Sequence, residues 1–447
     1  MGHPTNPFLI ANSEGFYRPP EPVYGRLVED GEVDDHGVDD RGDVLQFAAV
    51  DANDWDQREE GAEPLDVFAD ARISVVEIGR NQAERAGFTV PKGRVAEEDA
   101  WVQIAFGENG EEIYQFLNLF ADPLIRRLSG ISRVPRAVVQ RLITVTSLSS
   151  FRVASRTDIE NALDVTGRLK AVAVYDVGQG NCNAVVDGAY MPLLYFDIGG
   201  GVLHNYRTFP SVLSQFCFSA TPKPTIVLSH WDWDHWSSAA RDLRATHMTW
   251  IVPNQQLDPV HAAMASLIRA NGKLLIWPPT GLPSVTSGSL EIRTCTGKPR
   301  NHDGLALLVS NPADHDAQIL LPGDARYTAI PGALGSNYAG LVASHHGGRM
   351  SSRHVPGRAN TGTARVAYSY GYKNTYGHVL NATQAHHRNG GWTAELKTTA
   401  WTASTVLRPA HCALGWSALA APALTPCQGG HSPCTGAHCQ LEIRVTT

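Results

Sequence analysis

The heptapeptide Ser229-His230-Trp231-Asp232-Trp233-Asp234-His235 sets four side chains able to ligate a metal within six residues. It follows directly on the apolar run Thr225–Leu228. In an extended segment residues two apart point the same way, so His230 and Asp232 can share one ion. Asp234 and His235 then serve a neighbouring position, where a second ion can sit. Imidazole together with carboxylate suits zinc, iron or manganese. The plainer alternative is a capped strand end with satisfied histidines, and four such residues at this spacing argue against it.

Three further segments repeat the form of an apolar strand ending on a polar residue. Asp197 follows Leu194–Phe196 and precedes a glycine triplet, Gly199 to Gly201. Asp324 closes Ile319-Leu-Leu-Pro-Gly323, where glycine permits a close backbone approach. His345 and His346 follow Leu341–Ser344 and precede Gly347 and Gly348. Each alone is an ordinary turn. With the heptapeptide they describe a site along one edge of a sheet.

The elements that must position these residues begin at about Ala171. Apolar strands are expected at Ala171–Val177, Leu193–Ile198, Thr225–Ser229, Ala306–Ser310, Gln318–Leu321, Gly340–Ser344 and Arg365–Tyr370. Residues 71–168 read as a small α+β domain. Its strands are expected at Ile73–Ile78 and Trp101–Phe106, and its amphipathic helices at Glu111–Leu128, interrupted by Pro123, and Pro135–Leu148. Residues 1–70 read as an acidic, mostly irregular arm. The stretch 29–70 holds 16 Asp or Glu against Arg41 and Arg58, a balance of −14 within a net charge of −7, so the rest carries +7. A basic remainder permits a polyanionic substrate. The acidic stretch suits a solvated tract, or a mask over that surface.

Hydrophobic residues at 43% and charged residues at 18% fit a globular chain with material for a core. No run of 18 predominantly apolar residues predicts a membrane span. The first residues lack a secretory pattern, and seven cysteines do not form a secreted disulfide framework. A cytoplasmic location is expected.

The motifs resemble those of the metallo-β-lactamase superfamily, and within it the hydrolase domain of the DNA-uptake competence protein ComEC. The matching pieces are Asp176-Val-Gly-Gln-Gly180, Asp197-Ile-Gly199, His230-x-Asp-x-Asp-His235, Leu321-Pro-Gly-Asp324, His345-His-Gly347 and Asn374-Thr-Tyr-Gly-His378. The resemblance spans about Leu169 to Ala400 and resumes at a final strand, Leu441 to Val445. It departs at Asn181-Cys182, where Asp-Ala is usual, and at Val379, where proline is usual. The superfamily's isolated histidine has no clear counterpart, and Asn301 or His302 falls in its interval. The transmembrane channel of ComEC has no match, so hydrolysis alone carries over.

The resemblance implies an α/β fold, an αββα metallo-β-lactamase sandwich over 169–447, holding two divalent ions (Zn or Mn). One ion would lie on His230 and Asp232 with Asn301 or His302, the other on Asp234, His235 and His346, with Asp324 bridging. Asp197 and Asp176 would orient ligands from behind. His345 would contact substrate or protonate a leaving group, and Asp234 and His378 complete the expected catalytic set. Lys373, Asn374, Tyr376 and His378 could contact a phosphate or merely form a polar turn after a strand, and Trp231, Trp233 and Trp236 could stack a nucleobase or, more simply, pack beneath the loop. The subgroup and the basic remainder point to phosphodiester hydrolysis, with nucleic acid or a nucleotide as substrate. A small-molecule ester, lactone or amide hydrolase is the alternative, and a metal-binding scaffold docking a protein partner through the N-terminal region is another. An insertion at about 403–439 carries Cys412, Cys427, Cys434 and Cys439, a possible structural zinc site, with reduced cysteines equally compatible.

Overall fold

The computed structural model describes residues 8, 21–28, 44–58, 68, 71–89, 98–165, 169–210, 216–218, 220, 222–349, 354–398 and 411–416. The chain divides into two compact units, residues 1–151 with 255–270, and residues 152–254 with 271–447.

The first unit is built on β1 (Val23–Leu27), β2 (Val44–Asp51), β3 (Ile73–Gly79), β4 (Trp101–Phe116) and β5 (Leu124–Arg133), all antiparallel. The long β4 pairs with β3 through Tyr114–Phe116 and with β1 through Trp101–Ile104, so four strands close on themselves. Phe47, Val76, Ile104 and Ile131 fill the interior. Three helices accompany the strands, α1 (Ala52–Asp56), α2 (Arg80–Arg85) and α3 (Arg136–Val145). The last lies where a helix was expected, with Pro135 as N-cap and Val139, Leu142 and Val145 buried.

Two expectations fail here. The stretch read as an irregular arm contributes β1 and β2, whose residues are buried on both faces and so show no alternation. Its acids are partly structural: Asp51 caps α1 and pairs with Arg72 at 3.0 Å. The helix expected over Glu111–Leu128 is instead the end of β4, a turn and the start of β5. Asn118 Oδ1 accepts the Phe120 N–H at 2.8 Å, an Asx turn, and Pro123 follows as the chain leaves it. Glu112 then faces Arg127 across the pair, at 3.2 Å.

In chain order the second unit begins α4 (Arg156–Leu163), β6 (Leu169–Val174), β7 (Cys182–Asp187), β8 (Pro192–Ile198), β9 (Thr225–Val227), α5 (Trp233–Arg241) and β10 (Thr249–Val252). After α6 (Pro259–Asn271), which falls with the first unit through Ala270, come β11 (Lys273–Ile276), β12 (Ser284–Ser287), β13 (Leu290–Thr294), β14 (Leu305–Asn311) and β15 (Asp314–Leu321). The described chain ends with β16 (Asn337–Tyr338), β17 (Gly340–Val342), β18 (Gly357–Arg358), β19 (Arg365–Tyr368), α7 (Asn381–Asn389), β20 (Glu395–Lys397) and β21 (Cys412–Leu414). The division at 151/152 puts α4 here rather than in the N-terminal domain where 71–168 had placed it, with Ile159 and Leu163 in the core of this unit.

Two mixed seven-stranded sheets run β11-β10-β9-β8-β7-β6-β21 and β12-β13-β14-β15-β17-β19-β20, so the unit is α/β. One core draws on both. Val174, Phe196 and Val227 come from the first sheet, and Leu307, Ile319 and Val342 from the second. The alternate residues Ala306, Leu308, Leu320, Leu341 and Val366 fill a further cluster with Tyr327, Tyr368 and Trp392. These strands are thus buried on both faces, which is why they read as unbroken apolar runs.

β8 and β9 are parallel, as are β15, β17 and β19. The segments carrying Asp197, His230, Asp324 and His345 all lie at the carboxyl ends of these strands, the usual place for a site in an open α/β sheet. β21 pairs with β6 and so belongs to the first sheet, although its residues fall inside the segment read as an insertion. The expected strand at 441–445 lies outside the described residues. Among the described residues no helix is long and apolar enough to cross a membrane.

Candidate metal centre

The heptapeptide leaves β9 and turns into α5. Asp232 is the N-cap of that helix and accepts the Trp233 N–H at 2.7 Å, so Asp234 and His235 stand in its first turn. His230 and Asp232 share a side, with Nε2 to Oδ2 at 3.9 Å. The alternation that brings them together turns Trp231 into the protein. Trp233 and Trp236 lie on the buried face of α5, so none of the three indoles is available to stack a base.

Asp324 follows β15 through Gly323, at φ +59°, where an added Cβ would stand 2.5 Å from the Ser229 Cβ. Only glycine lets the two ligand loops approach this closely. His345 and His346 follow β17 in two successive left-handed conformations, φ +51° and +56°. Adjacent side chains thereby reach one centre from different directions.

Asp324 faces both halves of the cluster. Its Oδ1 is 3.1 Å from His235 Nε2 and 3.7 Å from His346 Nε2, and its Oδ2 lies 4.0 Å from His230 Nε2 and 3.7 Å from His345 Nε2. Asp234 Oδ2 is 3.1 Å from His346 Nε2. Two sets converge closely enough to hold a metal ion, His230 with His235 and Asp324, and Asp234 with His235 and His346.

The outward nitrogens of the rings are committed elsewhere. His235 Nδ1 meets Asp197 Oδ2 at 2.9 Å, His346 Nδ1 meets the Ser369 carbonyl at 3.0 Å, and His230 Nδ1 meets Ser229 Oγ at 3.0 Å. In neutral rings the first two contacts place the hydrogen on Nδ1 and the lone pair on Nε2. The Nε2 atoms of His230, His235 and His346 and Oδ1 of Asp324 are buried and make no hydrogen bond. Buried polar atoms converging in that state fit divalent ions.

The electrostatics agree. Burial by itself lowers His235, and Asp324, Asp197 and Asp234 reverse this and hold its proton well above the ordinary range. His346 is raised in the same way by Asp324 and Asp234 against burial. Burial would raise Asp324, and the charges of His235, His346 and His345 pull it well below the usual carboxylate range. Burial, with Asp234 beside it, pushes Asp232 up to about 6. A centre that grips protons this tightly between carboxylates and imidazoles offers the same electrostatic trap to a cation.

Asp197 is fully buried. Its Oδ1 accepts the Ser229 N–H at 2.7 Å, so it holds both a ligand ring and the loop that bears it. Asp176 stands in a different loop, between β6 and β7. Its Oδ1 accepts the Gly178 N–H at 3.2 Å, and its own N–H donates to His411 Nδ1 at 2.9 Å, shaping its loop. Asn301 and His302 form a short turn against the site. Asn301 Oδ1 and His302 Nε2 are buried without a hydrogen bond, and His302 lies outside the two converging sets. Burial, then the Arg326 charge, pushes His302 down to about 4.

Asn374 departs from the phosphate-contacting role expected of it. Its amide donates to the Gly371 and His378 carbonyls and accepts the His378 N–H, so the side chain is consumed in shaping its loop. Lys373 is exposed, at φ +54°, with Nζ over the Tyr372 ring. Tyr376 stacks on His378, which also stacks on His346, with centroids 5.5 and 6.2 Å apart. The His378–Val379 peptide is cis. Cys412 lies in the core on β21, where burial, then Asp176, pushes its thiol up to about 12. Cys427, Cys434 and Cys439 lie outside the described residues.

Two further residues stand at the site without having been singled out by residue type and spacing. Gln179 reaches His378 across 199 positions, Nε2 to Nδ1 at 3.1 Å. Arg300 is 8% exposed, and its charge opposes protonation of both His230 and Asp232.

No family model matches the chain, and no curated protein matches it. Among solved structures it is similar to the metallo-beta-lactamase fold protein YhfI from Bacillus subtilis. The identity is 11% and the TM-score 0.30, covering 51% of this chain and 96% of that one. A likeness of that size settles nothing about fold or function.

Proposed function

We propose that the second unit is a metal-dependent hydrolase of the metallo-β-lactamase type, using two divalent ions, zinc or manganese, to cleave phosphodiester bonds in nucleic acid or a nucleotide. The observation that carries this reading is Asp324, one buried carboxylate whose two oxygens face two different sets of ligands. His230 and Asp232 would hold one ion, Asp234, His235 and His346 the other, and Asp324 both. Ions so held lower the pKa of a bound water and offset charge on a phosphoryl oxygen.

The chain's own groups supply the rest. Asp197 keeps His235 in the tautomer that ligates. His345, a quarter exposed and next to Asp324, stands where it can hand a proton to a leaving oxygen. His378 and Lys373 bind phosphate oxygens, and the Arg300 charge favours an anionic substrate over a neutral lactone or amide. The charge of +7 outside residues 29–70 supports a polyanion.

The test is hydrolysis of bis(p-nitrophenyl) phosphate and of labelled single- and double-stranded DNA and RNA with Mn²⁺ or Zn²⁺. An Asp234→Ala, His235→Ala double variant runs beside the wild type. Metal-dependent cleavage lost in the variant is expected. A folded, metal-loaded wild type that cleaves none of these but opens a neutral ester would overturn the phosphodiester reading.

A further inference from the structure

The ligand turn after β17 is held from outside by α7. His345 and His346 stand in left-handed conformations that side chains rarely adopt, and such backbone persists only where its surroundings over-determine it. The Leu380 N–H, at the N-cap of α7, donates to the Gly347 carbonyl at 3.0 Å, and Thr383 Oγ1 donates to the Gly348 carbonyl. His387 lies four residues beyond Thr383, on the same face of the helix, and is fully buried.

The His387 ring bridges two tyrosines. Its Nε2 is 2.8 Å from Tyr327 Oη, and its Nδ1 is 3.0 Å from Tyr368 Oη. Burial, then the His386 charge, pushes the ring down to about 4. A neutral imidazole has one donor and one acceptor, so it can join two hydroxyls, one on each side.

Both tyrosines belong to segments that carry or orient ligands. Tyr327 stands three residues after Asp324, and its Oη accepts the Ser344 N–H at 3.1 Å, one residue before His345. Ser344 Oγ donates in turn to the Ala325 carbonyl, at 2.9 Å. Tyr368 precedes Ser369, whose carbonyl holds His346 Nδ1, and a Cβ on Gly347 would stand 2.8 Å from the Tyr368 ring. One imidazole thus ties the loop of Asp324 to the strand end that orients His346.

We propose that His387 is a positioning residue of the metal centre. By joining Tyr327 to Tyr368 it keeps the His345–His346 turn in the left-handed form that aims His346 at Asp234 and Asp324. It acts through the two hydroxyls and belongs to neither converging set of ligands. The role rests on the metal reading of the site and not on the choice of substrate.

The experiment measures Zn²⁺ affinity of the full chain by chelator competition, with thermal unfolding of the chelated and zinc-loaded forms. His387→Phe keeps a ring in the space and removes both hydrogen bonds, and His387→Gln restores one donor and one acceptor. Zinc affinity should fall on the order of 10-fold in His387→Phe and recover in part in His387→Gln. The Tm of the zinc-loaded form should drop further than that of the chelated form, because the loss falls on the bound state. Tyr327→Phe removes a single oxygen and should weaken zinc binding in the same way. Combining it with His387→Phe should add little, since both break one link. A merely structural histidine would lower both Tm values alike and leave affinity unchanged, and that result in folded His387→Phe overturns the proposal. Where His387→Phe does not fold, wild-type affinity in Tyr327→Phe overturns it. A wild type that takes up no zinc removes the metal reading and this role together, whereas zinc uptake that the variants leave untouched removes this role alone.

Discussion

Asp197 accepts from two sides at once, the His235 ring at 2.9 Å on Oδ2 and the Ser229 N–H at 2.7 Å on Oδ1. Both oxygens are acceptors, and Asn181 adds a third donor to Oδ2 at 3.3 Å. An amide cannot serve this arrangement, because one of its ends only donates. In Asp197→Asn either the Ser229 N–H faces an NH2, or His235 Nδ1 must accept and its hydrogen moves to Nε2, removing the lone pair that ligates. Metal affinity should fall on the order of 10–100-fold, as is usual when the partner behind a ligating histidine is lost. Chelator competition reads the affinity, and circular dichroism confirms the fold. Affinity equal to wild type would exclude His235 Nε2 as a ligand.

Metal uptake should release protons and weaken as pH falls. In the metal-free chain His235 and His346 are raised above 6.5 and Asp232 stands near 6, so ions displace protons from all three at mildly acidic pH. The sign for stability is the reverse. A raised folded pKa contributes stability that is present below the unfolded value and lost as pH rises through the folded one. In the chelated chain the share of stability held by His235 and His346 should therefore be lost as pH climbs from about 6.5 toward their raised values. His230, His302, His378, His387 and His411, held low chiefly by burial, add stability as pH rises toward 6.5. The decline is expected on the alkaline side of that value, while the metal-loaded chain gains stability throughout. Thermal unfolding across that window, with and without chelator, reads both slopes. Parallel slopes would contradict this assignment of the ligands.

Gly323→Ala tests the approach of the two loops. The new Cβ would adopt a left-handed φ, which costs about 1–2 kcal/mol, and would also stand 2.5 Å from the Ser229 Cβ. The expected result is a lower Tm together with weakened metal binding, since Asp324 must move when Gly323 does. A destabilised variant that keeps full metal affinity would show that Asp324 is not held by this contact.

The candidate ligands were legible because their segments follow directly on apolar strands, and that pattern survives without knowledge of the fold. His230, His235 and Asp324 converge, as do Asp234, His235 and His346, and Asp232 lies 3.9 Å from His230. For the tryptophans the packing reading holds over base stacking; alternation alone says only that Trp231 faces away from His230, not whether that side holds solvent or core. Asn374 resembled a phosphate contact because an amide in a glycine-bounded loop looks the same whether it meets a ligand or its own backbone. Gln179 stood inside the Asp176–Gly180 motif, but its contact with His378 was beyond reach, since the two lie 199 positions apart. Around residues 111–128 chance spacing of apolar residues imitated a helix, and the Asn118 turn was the local sign against it.

Arg300 gives the sharpest test of substrate charge. Its guanidinium lies in the turn that carries Asn301 and His302, near enough to oppose protonation of His230 and Asp232. A positive charge there opposes metal binding as well, and it would favour an anionic substrate over a neutral one. Arg300→Gln should raise KM for anionic diesters by roughly 10–100-fold, the scale of one charge-assisted hydrogen bond, and Arg300→Lys should recover part of the loss. Metal affinity should stay equal or rise in Arg300→Gln, because a repelling charge has gone. Steady-state kinetics on bis(p-nitrophenyl) phosphate and on an uncharged p-nitrophenyl ester, with metal content measured on the same samples, separate the effects. If both substrates lose equally, or if metal is lost, Arg300 supports the fold of its turn and does not read the charge of the substrate.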